Sequence, residues 1–254
     1  MGQNEIKTEL LIHDIKVPVS VINAGAKSLL ARQDIYGTLT EKQEKVIRRI
    51  LRNAKSSQCL VNDALEIARS SQGIMNYADT CLARLVTNVL VEVMDLSGIE
   101  LCEKVKSDEV QELHSLREKV EPAGIRLCFD PGLWKKSLRL EECKTIQILR
   151  NLLTNAMKYR LKEVEISGYL ENGCLCLKVC DDGKGIPGSD RKAVFESYFT
   201  SGVSLDEAVK SHGVGLAGIM VLLKDMGGDI FLESEENRGT EFLVNIPLVK
   251  RQET

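Results

Sequence analysis

The spacing of the apolar residues changes near Gly73, and this change limits the possible folds more than any other feature. Before it, over residues 4–71, apolar side chains recur at steps of three and four residues, which predicts two long helices. After it, short β-like runs alternate with helical stretches, which predicts an α/β sandwich with a mixed sheet. The predicted strands cover residues 125–129, 164–170, 175–180, 227–232 and 240–246. The predicted helices of this region cover residues 82–94, 109–120, 141–159 and 215–224. We therefore divide the chain into domains 1–73 and 74–254.

Each of the two N-terminal helices carries two adjacent apolar rows, more than a single helical hairpin can bury. A turn signal at residues 34–37 separates them, and Thr40 with Gln43 has the sequence of a capping box that begins the second helix. Pairing two hairpins into a four-helix bundle would bury the remaining rows, so we expect a homodimer. The alternative is a hairpin that packs on its own C-terminal domain, because periodicity identifies faces but not partners.

Net charge, hydropathy and cysteine content indicate which ligands, membrane segments and cellular compartment to expect. The net charge of −3 gives no electrostatic reason to expect nucleic acid, and no apolar run reaches the ~18 residues of a membrane span. The eight cysteines include no C-x-x-C pair, and free thiols in this number are typical of a reducing cytoplasm. Cys174, Cys176 and Cys180 share one face of a predicted strand. We interpret them as small buried hydrophobic residues, with a metal site as the alternative.

One face of the helix predicted over residues 141–159 carries two amides and a lysine. Asn151, Asn155 and Lys158 follow each other at steps of four and three residues. Amide oxygens are hard ligands suited to Mg²⁺ and to orienting its water ligands. A lysine one turn further can contact a phosphate group as a point charge. This face is a candidate magnesium and phosphate site, although two asparagines on a helix are usually only solvated.

Two glycine-containing segments add candidate ligand contacts. Asp181 ends a predicted strand and can accept a hydrogen bond from the exocyclic amine of a base, while Gly183 and Gly185 let a ligand approach the backbone. In residues 212–216, glycines precede an apolar helix whose first N–H groups can bind an anion. Between these segments, an aromatic cluster at residues 195–199 lies in a polar linker and is most simply a structural contact.

In their order and spacing, these four segments resemble the N, G1, F and G2 boxes of the ATPase fold shared by histidine kinases, gyrase, the MutL repair protein and a cytosolic chaperone. The resemblance covers roughly residues 76–250, and Gly239-Thr240-Glu241-Phe242 matches the last strand of that fold. It implies ATP and Mg²⁺ as ligands.

The resemblance also implies a role for individual residues. Asn155 would bind Mg²⁺, and Asn151 would support the triphosphate site. Lys158 would contact phosphate, Tyr159 would stack near adenine, and Asp181 would hold the adenine amine. The other implied nucleotide contacts are Gly183, Gly185, Ile186, Gly213, Gly215, Leu216 and Lys210, the last in an ATP lid between Pro187 and Gly213.

Two departures from the family pattern are visible. Ala217 occupies the position where the family often has a third glycine, and Gly218 follows it, so we expect an adjusted helix start that still binds the nucleotide. Residues 97–116 look like additional sequence between the first helix and the first predicted strand of the second region, and we expect them to contain an added helix.

His13 lies early in the first helix, within the sequence His13-Asp14-Ile15-Lys16-Val17-Pro18. The apolar rows leave His13 and Asp14 on the more polar side, and Pro18 should bend the helix just past the histidine because it lacks an N–H. The segment resembles the H-box of the dimerisation and phosphoacceptor domain of sensor histidine kinases. The resemblance implies that ATP phosphorylates His13, with Asp14 as the base, and that a response-regulator receiver domain takes the phosphoryl group.

The sequence leaves several alternatives open. A catalytically dead kinase could act as a docking module, although no residue of the four boxes is missing. An ATPase or chaperone-like machine would not need the upstream hairpin, and a serine or threonine kinase of the same fold would label other residues. Because only twelve residues precede His13, we expect either an excised catalytic core or a kinase switched by a binding partner. Val17 stands where many relatives carry Thr or Asn, which predicts little phosphatase activity.

Overall fold

The computed structural model describes residues 2–70, 75–99, 105, 112–188 and 214–249. Its helices are α1 (Gly2–Ala31), α2 (Gln33–Tyr36), α3 (Glu41–Ser70), α4 (Leu82–Ser97), α5 (Leu113–Val120), α6 (Pro131–Trp134), α7 (Glu142–Tyr159) and α8 (Val214–Met226). Its strands are β1 (Tyr77–Cys81), β2 (Ile125–Phe129), β3 (Ser137–Glu141), β4 (Val164–Glu171), β5 (Cys174–Asp181), β6 (Asp229–Glu235) and β7 (Gly239–Pro247).

The N-terminal region is a hairpin of the long helices α1 and α3, as predicted. Helix α1 continues through Pro18 without interruption. The predicted turn is itself the short helix α2, and Gly37 leaves it in the left-handed region with a φ of 86°. The predicted capping box is present, because Thr40 N donates to Gln43 Oε1 (2.9 Å) and Gln43 N donates to Thr40 Oγ1 (3.3 Å). Among the described residues, no helix combines the length and hydropathy needed to cross a membrane.

The second region contains a five-stranded sheet of order β2-β4-β5-β7-β6. Strands β2 and β4 are parallel and the other neighbours are antiparallel, so the predicted mixed sheet is confirmed. A second sheet of β1 and β3 was not predicted. Each of these strands has five residues and runs directly into a helix, so neither leaves a long alternating pattern in the sequence.

Helices α5, α7 and α8 pack against strands of the five-stranded sheet, α4 packs on α7, and all four helices contribute to one core with the sheet. On β5, the residues that point toward these helices are fully buried: Leu175, Leu177 and Val179. Cys174, Cys176 and Cys180 alternate with them on the opposite face, where Cys176 is buried and the other two are half-buried. Within the described ranges, no group of three or more His, Cys, Asp or Glu side chains has a geometry suited to a metal ion.

The two regions meet through a buried ionic contact between α3 and the helix layer. Asp63 of α3 forms an ion pair with Arg150 of α7, whose guanidinium also lies 3.4 Å from Glu92 of α4. Asp63 is only 4% exposed, and its burial raises its pKa to about 6 although Arg150 acts in the opposite direction. Lys55 and Asp95 form a more open ion pair (3.2 Å) nearby. The ion pair of Asp63 thus reaches α7 at Arg150. Arg150 directly precedes Asn151, which is predicted to support the triphosphate site.

Candidate functional site

The polar face of α7 is present as predicted. Asn151 and Asn155 are half-buried on this face, and Lys158 and Tyr159 are exposed at its end. The buried Nδ2 atom of Asn151 has no hydrogen-bond partner among the described residues. A buried donor without a partner is costly, and a phosphate oxygen would satisfy it. Lys158 Nζ lies 4.9 Å from the centre of the Tyr159 ring, so the candidate phosphate and base contacts are neighbours.

The loop after β5 is fixed against the C-terminal end of α7. A Cβ atom on Gly183 would come within 2.4 Å of the Tyr159 carbonyl oxygen, so only glycine allows this approach. Asp182 accepts hydrogen bonds from Leu161 N (2.9 Å) and Lys162 N (3.0 Å). Burial opposes ionisation of Asp182, but backbone N–H groups of the same segment outweigh it and lower the pKa of this carboxyl. Two predicted ligand segments that are distant in sequence are therefore held together.

Asp181 lies at the end of β5 on the face that the helices cover. Its carboxylate accepts from Gly183 N (2.9 Å) and is half-buried, and burial raises its pKa above the ordinary value against the effect of that hydrogen bond. It lines a cavity of 650 Å³ at the end of β5, β6 and β7. A half-buried carboxylate with unused lone pairs can accept hydrogens from the amine of a base, as its predicted role requires.

The β6–β7 hairpin also contributes residues to this cavity, which sequence reasoning missed. Ser234 and Thr240 line the same cavity as Asp181, and Ser234 Oγ accepts from Ile186 N (2.8 Å). Asn237 N donates to the Lys184 carbonyl oxygen (2.7 Å). Gly185 has a φ of 67°, and a Cβ atom there would come within 2.0 Å of the Glu235 carbonyl oxygen. The sequence matched Thr240 only as part of a strand, and nothing local distinguishes Ser234.

The remaining predicted site residues are only partly described. The backbone of His13 is helical in α1, but its side chain is outside the described set, and Asp14 is exposed one residue further. Lys210 and Gly213 lie outside the described residues. Gly215 belongs to the first turn of α8, and Leu216 is partly buried against the core. The structure thus joins Asp181 and Gly183 to the end of α7 at Tyr159, and places Gly185 against the β6–β7 hairpin. The lid and the His13 side chain lie outside the described residues.

Two family models match the chain in the same order as its two regions. Residues 11–73 match the His Kinase A (phospho-acceptor) domain. Residues 142–250 match the histidine kinase-, DNA gyrase B- and HSP90-like ATPase. Together the two matches account for more than half of the chain.

Individual proteins show the same likeness over almost the whole chain. The circadian input-output histidine kinase CikA of Synechococcus elongatus is 28% identical over 96% of this chain and 30% of its own length. The sensor protein GacS of Pseudomonas syringae pv. syringae is 25% identical over 98% of this chain and 26% of its own length. This chain therefore spans less than a third of the length of these two relatives.

The fold has a solved counterpart. The crystal structure of full-length ShkA in complex with AMPPNP superposes with a TM-score of 0.59 and 21% identity, over 97% of this chain and 46% of that one. The shared fold agrees with the matches of the two domains and with the two long relatives. The chain therefore belongs to the histidine kinases, as a catalytic core in which a helical phospho-acceptor domain precedes an ATP-binding α/β domain.

Proposed function

We propose that this core binds ATP with Mg²⁺, phosphorylates its own His13 and passes the phosphoryl group to an aspartate of a response-regulator receiver domain. The observation that carries the proposal is the junction of α7 with the loop after β5, where Gly183 packs on the Tyr159 carbonyl. Such a junction would place the amide face of α7 and a carboxylate able to accept from a base in one site, in a chain whose upstream hairpin contains His13 and Asp14. We also propose that the domains divide at 1–73 and 74–254 and that the kinase acts in the cytoplasm, in keeping with seven cysteines free of disulfides among the described residues.

The nucleotide would lie between the polar face of α7 and the end of the sheet. Asn151 would donate its unpartnered Nδ2–H to a phosphate oxygen, and Asn155 would offer its amide oxygen to Mg²⁺. The bound metal would neutralise charge on the phosphates during transfer. Lys158 would contact the phosphates, and Lys210 in the lid would reach them from the other side. Asp181 would hold the base through its exocyclic amine.

His13 and Asp14 would carry the chemistry on the hairpin. One ring nitrogen of His13 must present its lone pair to the γ-phosphorus while the bond to the bridging oxygen breaks and ADP leaves. The other ring nitrogen first keeps its proton and then releases it. A carboxylate on the next residue can fix that tautomer and accept the proton. Asp14 is exposed on α1, where an incoming nucleotide could approach it.

A homodimer is proposed from the apolar surface of the hairpin. Val21 and Leu60 are 66% and 51% exposed, and other large apolar residues of α1 and α3 are exposed as well. The contact with the second region covers part of α3 through α8 and α4 and leaves these residues uncovered. A second hairpin would bury them in a four-helix bundle.

Labelling with γ-³²P-ATP tests the assignment. Asn155→Ala should lose Mg²⁺-dependent labelling, Asp181→Asn should lose ATP binding, and His13→Ala should bind ATP but accept no label. Matched controls are Thr154→Ala, beside Asn155 on α7, Asp229→Asn at the exposed start of β6, and the exposed His114→Ala. Each control should label like the unchanged protein. Normal labelling of Asn155→Ala or Asp181→Asn would refute the site, and acid-stable label would refute phosphohistidine.

We further propose that the core has little phosphatase activity toward its regulator. Val17 follows His13 by one helical turn and is 53% exposed, but its side chain has no hydrogen-bonding group to orient an attacking water. The test mixes the core with phosphorylated regulator, ADP and Mg²⁺. Dephosphorylation much faster than the regulator's own decay would contradict the proposal, and a gain of this activity in Val17→Thr would support it.

A further inference from the structure

We propose that Ser234 is a specificity-determining positioning residue, which fixes the Thr240 hydroxyl as a hydrogen-bond acceptor and makes the cavity select a base with an amino group over one with an oxo group. The inference rests on the proposed function, because it places the purine base of ATP beside Asp181. Ser234 lies outside the segments that resemble the nucleotide-binding boxes. Its position across the sheet, and not its place in the sequence, connects it to the site.

Asp181, Thr240 and Ser234 form one row across three neighbouring strands. Asp181 of β5 is the register partner of Thr240 of β7, and Thr240 is the register partner of Ser234 of β6. Directly opposed residues of antiparallel strands project on the same face. All three side chains line the same cavity, and Thr240 and Ser234 are each only 8% exposed. Ser234 of β6 and Asp181 of β5 therefore face the same cavity, although β7 lies between their strands.

The hydrogen bonds around Ser234 Oγ allow one arrangement of protons. Ser234 Oγ lies 2.8 Å from Ile186 N, 2.8 Å from the Gly239 carbonyl oxygen and 3.0 Å from Thr240 Oγ1. The amide of Ile186 can only donate and the carbonyl of Gly239 can only accept. A serine hydroxyl has one proton and two lone pairs. Its proton therefore goes to Gly239, one lone pair accepts from Ile186, and the other lone pair accepts the proton of Thr240.

In this arrangement the side chains of Thr240 and Asp181 both offer acceptors to the cavity. The Thr240 hydroxyl donates its proton to Ser234, so it presents only lone pairs to the cavity, as the Asp181 carboxylate does. An amino group, or a water that donates to the protein, satisfies two such acceptors. An oxo group in the same place would face lone pairs and lose its hydrogen bonds. Removing Ser234 would free the Thr240 hydroxyl to rotate and donate to an oxo group.

Equilibrium binding of ATP and inosine triphosphate tests the inference, because the two nucleotides differ in this edge of the base: an oxo group replaces the amine and N1 gains a proton. The measurement uses the full chain carrying His13→Ala, so that no nucleotide is consumed. We expect this protein to prefer ATP. Ser234→Ala should lower the ratio of the two affinities by about fivefold, the effect of one hydrogen bond. Ser167→Ala, a serine on the opposite face of β4, should leave the ratio unchanged.

A double variant distinguishes this role from a merely structural one. If Ser234 acts through Thr240, Thr240→Val should also lower the ratio, and adding Ser234→Ala to it should change nothing more. An unchanged ratio of ATP to inosine triphosphate affinity in folded Ser234→Ala would overturn the inference. A further fivefold fall of this ratio when Ser234→Ala is added to Thr240→Val would also overturn it, because Ser234 would then act through its hydrogen bond with Ile186 and not through Thr240. If Ser234→Ala does not fold, an unchanged ratio in Thr240→Val overturns the inference. If the chain carrying only His13→Ala binds neither nucleotide, the proposed function itself is refuted.

Discussion

The hairpin and the α/β region bury their apolar residues in different ways. In the α/β region, one continuous core joins α4, α7 and α8 to the sheet, and it includes fully buried side chains such as Leu152 and Trp134. In the hairpin, the buried apolar side chains among those described are only Ala26, Ala54 and Leu65. A region of the first kind holds its own fold, whereas one of the second kind needs neighbours.

The hairpin packs on the α/β region of its own chain, where Asp63 pairs with Arg150 and Arg150 also contacts Glu92. Ionic contacts of this kind orient two surfaces but add little stability, because burial of the charges offsets their attraction. The two regions therefore differ in how far their stability depends on outside contacts. The proposed nucleotide site lies in the region that holds its own fold, while the proposed phosphoacceptor His13 lies in a region whose stability depends on what it contacts. Four predictions test this comparison, from the largest expected effect to the smallest.

The first prediction compares one leucine from each region. Leu152→Ala should lower the free energy of unfolding by about 2–5 kcal/mol, because it opens a cavity in the core. Leu60→Ala should lower it by less than about 1 kcal/mol in dilute protein, because that side chain is half-exposed. The single tryptophan, Trp134, is buried in the α/β region and reports its unfolding in urea. Equal losses for the two variants would contradict the comparison.

The second prediction concerns the ionic contact. Asp63→Ala leaves the Arg150 guanidinium buried with Glu92 as its remaining carboxylate, and should weaken the docking of the hairpin by about 3 kcal/mol. Calorimetry should then show the hairpin melting apart from the α/β region. The control is Lys55→Ala, which removes a more open ion pair and should cost less than about 1 kcal/mol. A single unchanged transition in Asp63→Ala would show that apolar contacts alone hold the two regions.

The third prediction concerns the start of α3. Thr40→Ala removes a side chain that exchanges hydrogen bonds with Gln43, and should destabilise the hairpin by about 1 kcal/mol. Thr38→Ala, two residues earlier and outside any helix, should have no measurable effect. Far-UV circular dichroism on heating reports the difference, because most of the hairpin is helical. Equal melting of the two variants would mean that the cap does not limit hairpin stability.

The fourth prediction concerns pH. Burial raises the pKa of Asp63 from 3.8 to about 6 in the folded protein, although Arg150 opposes this, and Glu92 and Cys59 lie beside the pair. A raised acid pKa favours the folded state at low pH, so its contribution is complete below 3.8 and is lost as pH rises through about 6. Between pH 8 and pH 6 the gain on acidification should be below about 1 kcal/mol. Asp63→Asn should lack this part of the pH dependence, and identical profiles would disprove it.

Much of the candidate site could be read from short segments. The amide face of α7 and the carboxylate of Asp181 both follow from local spacing, and the contact of Gly183 with the Tyr159 carbonyl joins the end of α7 to the loop after β5. The five strands of the main sheet and the capping box at Thr40 were likewise predicted, because alternation and capping are local patterns. The assignments of His13, Lys210 and Gly213 remain predictions, since their side chains or positions lie outside the described residues.

The sequence by itself therefore determined the two long helices, the five strands of the main sheet, their order and the family, because each depends on residues a few positions apart. The tertiary structure alone decided what joins distant segments: the pairing of β1 with β3, the row from Asp181 through Thr240 to Ser234, and the ion pair of Asp63 with Arg150. Asp63 and Arg150 are 87 residues apart. Such contacts depend on strand register and on the packing of whole layers, which no local pattern encodes.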